Sequence, residues 1–399
     1  MPRDVSWDLS STAALEGSEG RRQTEAVLWS DLRRLLVIVV LTIVVVPGVA
    51  MGLAVVNSDE PALQTAATWA RDHGFSSVVD RLEMWRYDGE ASKELSDELS
   101  LTESLVTTSV APLPEEQPIE VPISTTTTFA PLPLEPVQDE PLEGEGQWLP
   151  IAAVEGRNVL WVTSTRPLKE YGSVRATFVQ IDQTLLRFGL YNGDGTPGGR
   201  DWINGRRIGD AERSRLVAAF NGGFRFEHIE GGYFTEGREV RPLVVGEATL
   251  AIDTEGKIVI GEYGRDLTND GTWVSLRQNL PLMVDERVNV VDRHSVRTWG
   301  ADKGGSVVVF RSALCSLESG MLMYAAAGDV NISDFADILV SAGCLTAMQL
   351  DVNGTWPQFA VYLGFGTPDR AGVLVDTRMS NRDRYLNGTD KDFIAAFAE

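Results

Sequence analysis

The sequence predicts an α+β fold with a mixed or antiparallel sheet and few helices, preceded by one transmembrane helix and a disordered linker. Three features lead to this prediction: an uncharged apolar run at residues 35–56, a proline- and threonine-rich stretch at residues 92–146, and many short strand-like runs after residue 147. The chain of 399 residues is also longer than a typical domain of about 100–200 residues. We therefore expect one folded domain, residues 147–399, at the end of a tether.

The run at residues 35–56 is long enough, at about 1.5 Å per helical residue, to cross a hydrocarbon core of about 30 Å. Arg33 and Arg34 precede it, whereas Asp59 and Glu60 follow it. Because cytoplasmic loops carry an excess of basic residues, the 34 N-terminal residues are predicted to be a cytoplasmic tail (residues 1–34). The prediction is a single-pass cell-membrane protein that contacts the lipid bilayer through residues 35–56, with an extracytoplasmic C-terminal domain. A cleaved signal peptide is the alternative, although its apolar region is usually shorter.

Two tether segments are predicted between the membrane and the folded domain. Residues 57–91 place apolar side chains at near-helical spacing, which predicts a juxtamembrane helical stalk. Residues 92–146 are rich in proline, threonine and glutamate. Such a composition cannot bury enough apolar surface to fold, so this segment is predicted to be a disordered linker.

Strand-like runs dominate residues 147–399, and glycine or polar turns bound them. The strongest helical pattern is Ser333–Ala342, where apolar residues share one face and Gly343 ends the pattern. Weaker helical patterns occur at Asp210–Leu216 and Asp390–Phe397. Many strands and few helices, without strict alternation, favour the α+β class.

Composition argues against two classes of function. A formal net charge of −22 leaves no basic face for a nucleic acid, so no nucleic-acid partner is expected, although one or two arginines suffice for a small anionic substrate. The 3 histidines are scattered along the chain. Their spacing argues against a histidine-rich zinc site and against a Ser-His-Asp triad.

The stretch Leu216–Phe224 carries the most informative local pattern. An apolar run ends at Asn221, where a polar side chain can point into a cleft, and Gly222 and Gly223 follow it. Two glycines let another group approach the backbone closely. An ordinary strand-to-turn junction has the same pattern. Whether Leu216–Phe224 belongs to a functional site therefore depends on segments further along the chain.

Three such segments follow in order. They are Gly231–Gly237, which contains Glu236; Val296–Gly300, which contains Arg297 and Thr298; and Ala347–Thr355, which contains Asp351 and Asn353. Together with Asn221-Gly-Gly-Phe224 and the helix at Ser333–Ala342, they resemble the phosphodiester glycosidase family in order and approximate spacing. That family carries an Asn-Gly-Gly-Phe segment, an Arg-Thr before a glycine and a strand, a helix, and a Leu-Asp-Gly-Gly-Gly-Ser loop.

The chain departs from the family pattern at two places. Val352 and Asn353 replace two glycines of the last loop, which removes backbone freedom and adds an amide. Arg225 replaces the second phenylalanine of the family's usual pair. The acid at position 351 matches the family pattern. Because the loop around it differs, the substrate of this chain can differ from that of the family.

The resemblance implies a hydrolase that cleaves a sugar-phosphate diester in cell-surface glycan. Arg297, with Thr298 beside it, would hold the phosphate by a two-pronged contact. The backbone N–H groups of Gly222 and Gly223 would add an anion-binding concavity. Such a site would be phosphate-binding without a cofactor.

The same resemblance assigns the reacting groups. Asp351 would stabilise the cation-like anomeric carbon or move a proton, and Glu236 is the candidate for a second carboxylate. Asn221 and Asn353 would orient sugar hydroxyls or the phosphate. Asp351 and Asn353 also offer hard oxygen ligands that suit a divalent cation, but no spacing requires one, so the metal stays undecided.

Each of these residues also has a structural interpretation. Arg297 could pair with a surface acid such as Asp292 or Asp302. Asp351 at a strand end and Glu236 in Thr-Glu-Gly could both be turn residues that bond nearby backbone. A non-catalytic domain that binds envelope glycan, or a structural surface module, is therefore the alternative to the enzyme.

The two cysteines, Cys315 and Cys344, are predicted to form a disulfide, because thiols outside the membrane tend to pair. Ser341-Ala-Gly-Cys344 is also similar to a motif of L,D-transpeptidases. That family needs a His-Gly pair upstream, and His294 is followed by Ser295. The disulfide is the better interpretation.

Overall fold

The computed structural model describes residues 95–103, 105, 130–299, 307–352, 354–363 and 372–399, together with six helical positions at 70, 78, 79, 81, 82 and 85. The predicted cytoplasmic tail (1–34) and transmembrane helix (35–56) lie outside the described residues. Within the described part of the chain, no helix is both long and apolar enough to span a bilayer.

Eighteen strands in the described part of the chain form the framework of the domain. In chain order they are β1 (Leu149–Val154), β2 (Arg157–Thr165), β3 (Ala176–Ile181), β4 (Leu186–Tyr191), β5 (Leu216–Asn221), β6 (Tyr233–Thr235), β7 (Arg238–Arg241), β8 (Ala248–Asp253), β9 (Ile258–Glu262), β10 (Trp273–Gln278), β11 (Leu282–Asp285), β12 (Val288–Asn289), β13 (Val309–Leu317), β14 (Leu322–Val330), β15 (Cys344–Val352), β16 (Phe359–Tyr362), β17 (Gly372–Leu374) and β18 (Phe393–Ala398).

These strands form three sheets. The first has eight strands in the order β1-β2-β3-β14-β13-β15-β11-β12, the second has five in the order β7-β6-β10-β8-β9, and the third has five in the order β17-β16-β5-β18-β4. Each pairing of these named strands is antiparallel.

The predicted fold class, α+β with a mixed or antiparallel sheet behind a transmembrane helix, is therefore corrected. The described residues from 130 onward form a mostly antiparallel three-sheet structure with two α-helices, α1 (Ile332–Ser341) and the single turn α2 (Arg384–Asn387). Many connections are short turns between neighbouring strands, such as the turn between β8 and β9, and short turns favour antiparallel neighbours.

Helix α1 forms where its sequence pattern predicts. The Oδ1 atom of Asn331 accepts a hydrogen bond from the Asp334 N–H at 2.9 Å, which caps the first turn. The helix buries its apolar face, including Phe335 and Leu339, against the first sheet. It ends before Gly343, whose φ of +95° suits glycine.

The weaker helical pattern at Asp390–Phe397 was misinterpreted. Phe393–Ala398 is instead strand β18, which lies between β5 and β4 in the third sheet. Every residue of the strand is buried. A strand buried on both faces has no polar/apolar alternation, so its sequence cannot be distinguished from a buried helix by periodicity.

The predicted disulfide is confirmed. Cys315 on β13 and Cys344 on β15 are bonded, with Cα atoms 5.6 Å apart. Both residues are fully buried beneath α1. The bond links adjacent strands of the first sheet, close to the helix that packs on it.

Part of the predicted linker lies against the domain. Residues 130–146 precede β1, and within them Glu145 forms a buried ion pair with Arg166 at 2.7 Å. The same guanidinium donates to the carbonyl of Ser96 at 2.8 Å and to that of Glu140 at 2.7 Å. Leu105 is also buried in the core. Arg166 therefore attaches two stretches of the predicted linker 92–146 to the folded body.

Candidate functional site

The first and third sheets meet at a backbone junction that includes Asp351. The Asp351 N–H donates to the Gly222 carbonyl at 3.0 Å, and the Gly222 N–H donates to the Asp392 carbonyl at 3.1 Å. Asp351 lies near the end of β15, Gly222 follows β5, and Asp392 precedes β18. Three segments far apart in the chain are thereby fixed to one another.

The Asp351 side chain is buried in this junction and is 3% exposed. Its Oδ2 atom accepts a short hydrogen bond from the Lys391 ammonium, and its Oδ1 atom accepts the N–H of Val352 at 2.9 Å. Burial raises the pKa of Asp351 above its ordinary value, although the Lys391 charge acts in the opposite direction. The carboxyl group is therefore held closer to neutrality than a surface aspartate.

Lys391 is the partner that the sequence patterns did not reveal. Its side chain is 9% exposed, and burial lowers the pKa of its ammonium while the Asp351 charge opposes that shift. The two shifts bring the pKa values of the carboxyl and the ammonium towards each other. No motif marks Lys391, because the pattern at Asp390–Phe397 predicts a helix there.

A second buried ion pair lies beside the first. The Arg277 guanidinium contacts the Asp392 carboxylate through Nε at 2.8 Å and Nη2 at 3.0 Å. Burial alone would lower the pKa of Arg277, but the charge and hydrogen bonds of Asp392 outweigh it, and the net pKa is raised. Arg277 also donates to the Phe224 carbonyl at 2.6 Å. This pair therefore fixes the segment after Gly223.

Gly222 and Gly223 allow the Arg277–Asp392 pair to pack closely against the backbone. A Cβ atom on Gly222 would lie 2.2 Å from the Asp392 carboxylate, and one on Gly223 would lie 2.9 Å from the Arg277 guanidinium. Glycine is required here for close approach, as predicted from the pattern. The predicted anion-binding role has less support, because the Gly222 N–H already donates to the Asp392 carbonyl.

Asn221 joins structural elements in this arrangement. Its Oδ1 atom accepts hydrogen bonds from the Tyr324 hydroxyl at 3.0 Å and the Gln358 N–H at 2.9 Å. Its Nδ2 atom donates to the Gly222 carbonyl at 3.1 Å and to Ser312 Oγ at 3.0 Å. The amide is 5% exposed and fully used, so in this structure it holds the junction rather than a sugar hydroxyl.

Glu236 lies in the tight turn between β6 and β7, with a φ of +50°. Its carboxylate accepts the backbone N–H groups of Ile203 and Asn204, both at 2.9 Å. It supports the loop between β4 and β5, and its described hydrogen bonds do not include Asp351. The structural interpretation that the sequence left open for Glu236 matches these contacts.

The remaining predicted site residues are described only in part. The backbone of Arg297 lies in the 3-10 turn Val296–Trp299, but its side chain lies outside the described residues, as does Asn353. The Thr298 hydroxyl lies 3.4 Å from that of Ser295. The structure therefore brings Asn221, Gly222, Gly223 and Asp351 together and gives no side-chain position for Arg297.

An aromatic ring surrounded by cations lies next to the Asp351–Lys391 pair. Lys391 Nζ is 4.2 Å from the ring centroid of Trp356. The guanidinium carbons of Arg384 and Arg225 lie 5.2 Å and 5.8 Å from the same centroid. Arg384 also donates to the Thr355 carbonyl at 2.5 Å, which holds the loop that carries the ring. Three cations thus surround one ring, and Asp351 and Asp390 offset the charges of Lys391 and Arg225.

Arg225 is more exposed than the other two cations. Its Nη2 atom lies 2.5 Å from the Asp390 carboxylate, and the two side chains are 29% and 47% exposed. Asp390 immediately precedes Lys391. The ion pair Arg225–Asp390 therefore lies on the solvent side of the buried pair.

The described residues contain no group of three or more histidine, cysteine, aspartate or glutamate side chains able to hold a metal ion. Asp351, the predicted oxygen ligand, has both carboxylate oxygens occupied by Lys391 and Val352. A buried carboxyl and a buried ammonium of shifted pKa lie beside further cations, and such an arrangement suits proton transfer and anion binding.

No family model matches the chain, and no curated protein sequence matches it. Among solved structures, the catalytic domain of zebrafish N-acetylglucosamine-1-phosphodiester alpha-N-acetylglucosaminidase, auto-inhibited by its pro-peptide, is similar at 16% identity and a TM-score of 0.43, covering 62% of this chain and 86% of that one. A hypothetical protein from Synechocystis is similar at 11% identity and a TM-score of 0.40, covering 61% of this chain and 63% of that one.

A putative exported protein from Burkholderia pseudomallei is similar at 12% identity and a TM-score of 0.33, covering 56% of this chain and 74% of that one. At these identities and TM-scores, the similarities do not establish a shared activity. The predicted family is thus represented among similar structures, whereas membership of this chain in that family is not shown.

Proposed function

We propose that this protein hydrolyses a sugar-1-phosphodiester or a related glycosidic bond in surface glycan, with Asp351 and Lys391 as the reacting pair. One observation carries the proposal. A buried carboxyl whose pKa is raised touches a buried ammonium whose pKa is lowered, at the end of a strand and beside a cationic, aromatic surface. Paired groups with shifted pKa values are typical of acid–base sites.

The proposed chemistry requires one water and no cofactor. The water oxygen bonds to the anomeric carbon, and the C–O bond from that carbon to the bridging phosphate oxygen breaks. The electron pair of that bond stays on the phosphate oxygen, which leaves as a phosphomonoester. Asp351 accepts the proton that the water loses and later releases it to solvent.

Lys391 supports this step by its charge. Its ammonium lies against the Asp351 carboxylate and next to Trp356, so it can stabilise negative charge that develops on the departing phosphate. Arg225 and Arg384 add positive charge around the same ring. A phosphodiester anion is therefore a better match for this surface than a neutral glycoside.

The pair Arg277–Asp392 supplies rigidity. Both side chains are nearly inaccessible, and Arg277 bonds the Phe224 carbonyl while Gly222 bonds the Asp392 carbonyl. The geometry around Asp351 is thereby held without a contribution from substrate. Such a fixed arrangement limits reorganisation during reaction.

We further propose that the domain acts outside the cytoplasm. The Cys315–Cys344 disulfide supports this location, because structural disulfides persist mainly in oxidising compartments. Cell-surface glycan is the substrate class accessible there.

The test uses the full-length chain and a sugar-1-phosphate esterified to an aryl alcohol. Reaction in ¹⁸O-labelled water should place the label on the released sugar, because the proposed break is at the anomeric carbon. Asp351→Asn and Lys391→Met should each remove turnover. Glu318→Gln is the matched control, since Glu318 pairs with Arg287 at an exposed site. Label in the phosphate, or undiminished turnover by Asp351→Asn, would refute the mechanism.

A second function is favoured by one specific observation. The Asp351 side chain is 3% exposed, and each of its oxygens already accepts a hydrogen bond within the protein. A domain that binds envelope glycan without cleaving it would have no need of a free carboxylate. Tight binding on a glycan array, combined with no turnover of any phosphodiester, would support this alternative.

A further inference from the structure

Arg225 and Asp390 form an ion pair beside the proposed reacting pair. Arg225 follows the Gly222–Phe224 segment, and Asp390 immediately precedes Lys391. Their ion pair measures 2.5 Å. Arg225 and Lys391 both lie over the Trp356 ring, so the ion pair and the ammonium share one aromatic neighbour.

Exposure increases steadily from the reacting pair to this ion pair. The side chains of Asp351 and Lys391 are 3% and 9% exposed, whereas those of Arg225 and Asp390 are 29% and 47% exposed. A ligand that approaches Lys391 along the Trp356 ring therefore meets the ion pair first.

The ion pair can open without disturbing the fold. A half-exposed ion pair contributes little to stability, because water solvates the separated charges well. By contrast, Arg277 and Asp392 are 2% and 0% exposed, and separating them would leave buried charges without partners. Of these two pairs, the outer one is the one that a ligand can separate.

Asp390 is anchored by its backbone rather than its side chain. Its carbonyl accepts the N–H groups of Gly195 and Thr196, both at 2.9 Å. Its carboxylate lies where a Cβ atom on Gly195 would be 2.6 Å away, so that glycine leaves room for it. The carboxylate can therefore rotate away while the backbone that positions Lys391 stays fixed.

Arg384, the other guanidinium at the Trp356 ring, has a structural role. It donates to the carbonyls of Thr355 and Trp356 and is 8% exposed, so it holds the loop. Arg225 has a carboxylate as its ion-pair partner, and a phosphate presents a similar pair of oxygens to a guanidinium. An anionic ligand can thus replace Asp390 at Arg225.

We propose that Arg225 is the phosphate-binding, specificity-determining residue of this site, and that the Asp390 carboxylate occupies its guanidinium until a phosphodiester displaces it. This inference rests on the proposed function for the identity of the substrate. It shifts the phosphate-binding role from the predicted Arg297 to Arg225. It also gives the phenylalanine-to-arginine departure from the family pattern a function.

The test compares a sugar-1-phosphodiester with a neutral aryl glycoside of the same sugar, using the full-length chain. Arg225→Gln should raise KM for the phosphodiester about 10- to 100-fold, because a hydrogen-bonded charge contact is lost. Asp390→Asn should lower that KM by about two- to fivefold, because the competing carboxylate is removed. Neither change should alter KM for the neutral glycoside. Arg287→Gln, at an exposed ion pair elsewhere, is the control.

A binding measurement separates this inference from the proposed function. Calorimetry should detect binding of inorganic phosphate to the unmodified protein. The Asp390→Asn variant should bind phosphate more tightly, and the Arg225→Gln variant should bind it at least tenfold more weakly. These results would support the inference even if no substrate were turned over. Equal losses for charged and neutral substrates, or phosphate binding that is absent from the unmodified protein or unaffected by Arg225→Gln, would overturn it while leaving any observed hydrolysis intact.

Discussion

Lys391 Nζ hydrogen-bonds Asp351 Oδ2, although the two residues lie on segments that belong to different sheets. Asp351 lies near the end of β15, and Lys391 lies two residues before β18. The contact therefore joins the first and third sheets as well as forming the proposed site. We therefore expect substitutions of this pair to affect both the stability of the fold and the proposed activity, and different substitutions can separate the two effects.

Replacing both members of this pair should cost less stability than the sum of the single replacements. Asp351→Asn or Lys391→Met alone leaves a buried group without its partner, which should lower the free energy of unfolding by about 3–5 kcal/mol. The double variant removes both charges and should recover part of that loss without regaining turnover. Urea denaturation measures the coupling, and simply additive losses would contradict it.

The pH profile of kcat/KM should be bell-shaped. Its plateau should span a narrower pH range than an unperturbed aspartate and lysine would give. Asp351 must be deprotonated to accept a proton, so activity should fall as the pH drops through its raised pKa, above the ordinary value of about 3.9. Lys391 must be protonated, so activity should fall as the pH rises through its lowered pKa, below about 10.4. In a Lys391→Gln variant with residual activity, the acidic limb should move to higher pH, because the ammonium that lowers the Asp351 pKa is gone. An unchanged acidic limb would count against the assignment.

Loss of arginine should destabilise the protein much more at the buried pair Arg277–Asp392 than at the partly exposed pair Arg225–Asp390. Arg277→Met leaves the buried Asp392 carboxylate unpaired and should destabilise the domain by about 3–5 kcal/mol. Arg225→Gln should change stability by less than about 1 kcal/mol, since its pair is partly exposed. Thermal and urea unfolding of both variants test this contrast. A large destabilisation by Arg225→Gln would show that the outer pair is structural.

Asn221→Ala should reduce stability while leaving KM unchanged below the unfolding temperature. The substitution leaves the Tyr324 hydroxyl and the Gln358 N–H without an acceptor, at a cost of about 2–4 kcal/mol for the two buried donors. Substrate titration at low temperature is the discriminating measurement. A raised KM in a folded variant would restore the predicted sugar-binding role of Asn221.

Loss of the disulfide should lower stability without removing activity. The bond closes a loop with a sequence separation of 29 residues, for which the expected contribution is about 3.6 kcal/mol. A reducing agent should therefore lower the unfolding temperature of the unmodified protein. The double variant Cys315→Ala/Cys344→Ala should start lower and show no further shift. An equal shift in both proteins would point to an effect unrelated to this bond.

Local patterns were sufficient where a short segment determines its own structure. The capped amphipathic helix at Ser333–Ala342 and the close-packed glycines at 222 and 223 were both foreseen. The helix predicted at Asp390–Phe397 is wrong, because a strand buried on both faces has the uniform apolar composition of a buried helix.

The sequence by itself determined the strand-rich character of the domain, helix α1 and the pairing of Cys315 with Cys344. Only the tertiary structure decided that the described sheets are antiparallel, that Lys391 neutralises Asp351, and that Arg225 faces Asp390. Backbone propensity and apolar spacing act over a few residues, so they can be read along the chain. Ion pairs between distant segments depend on which sheets meet and where their strands end, and no local pattern encodes that.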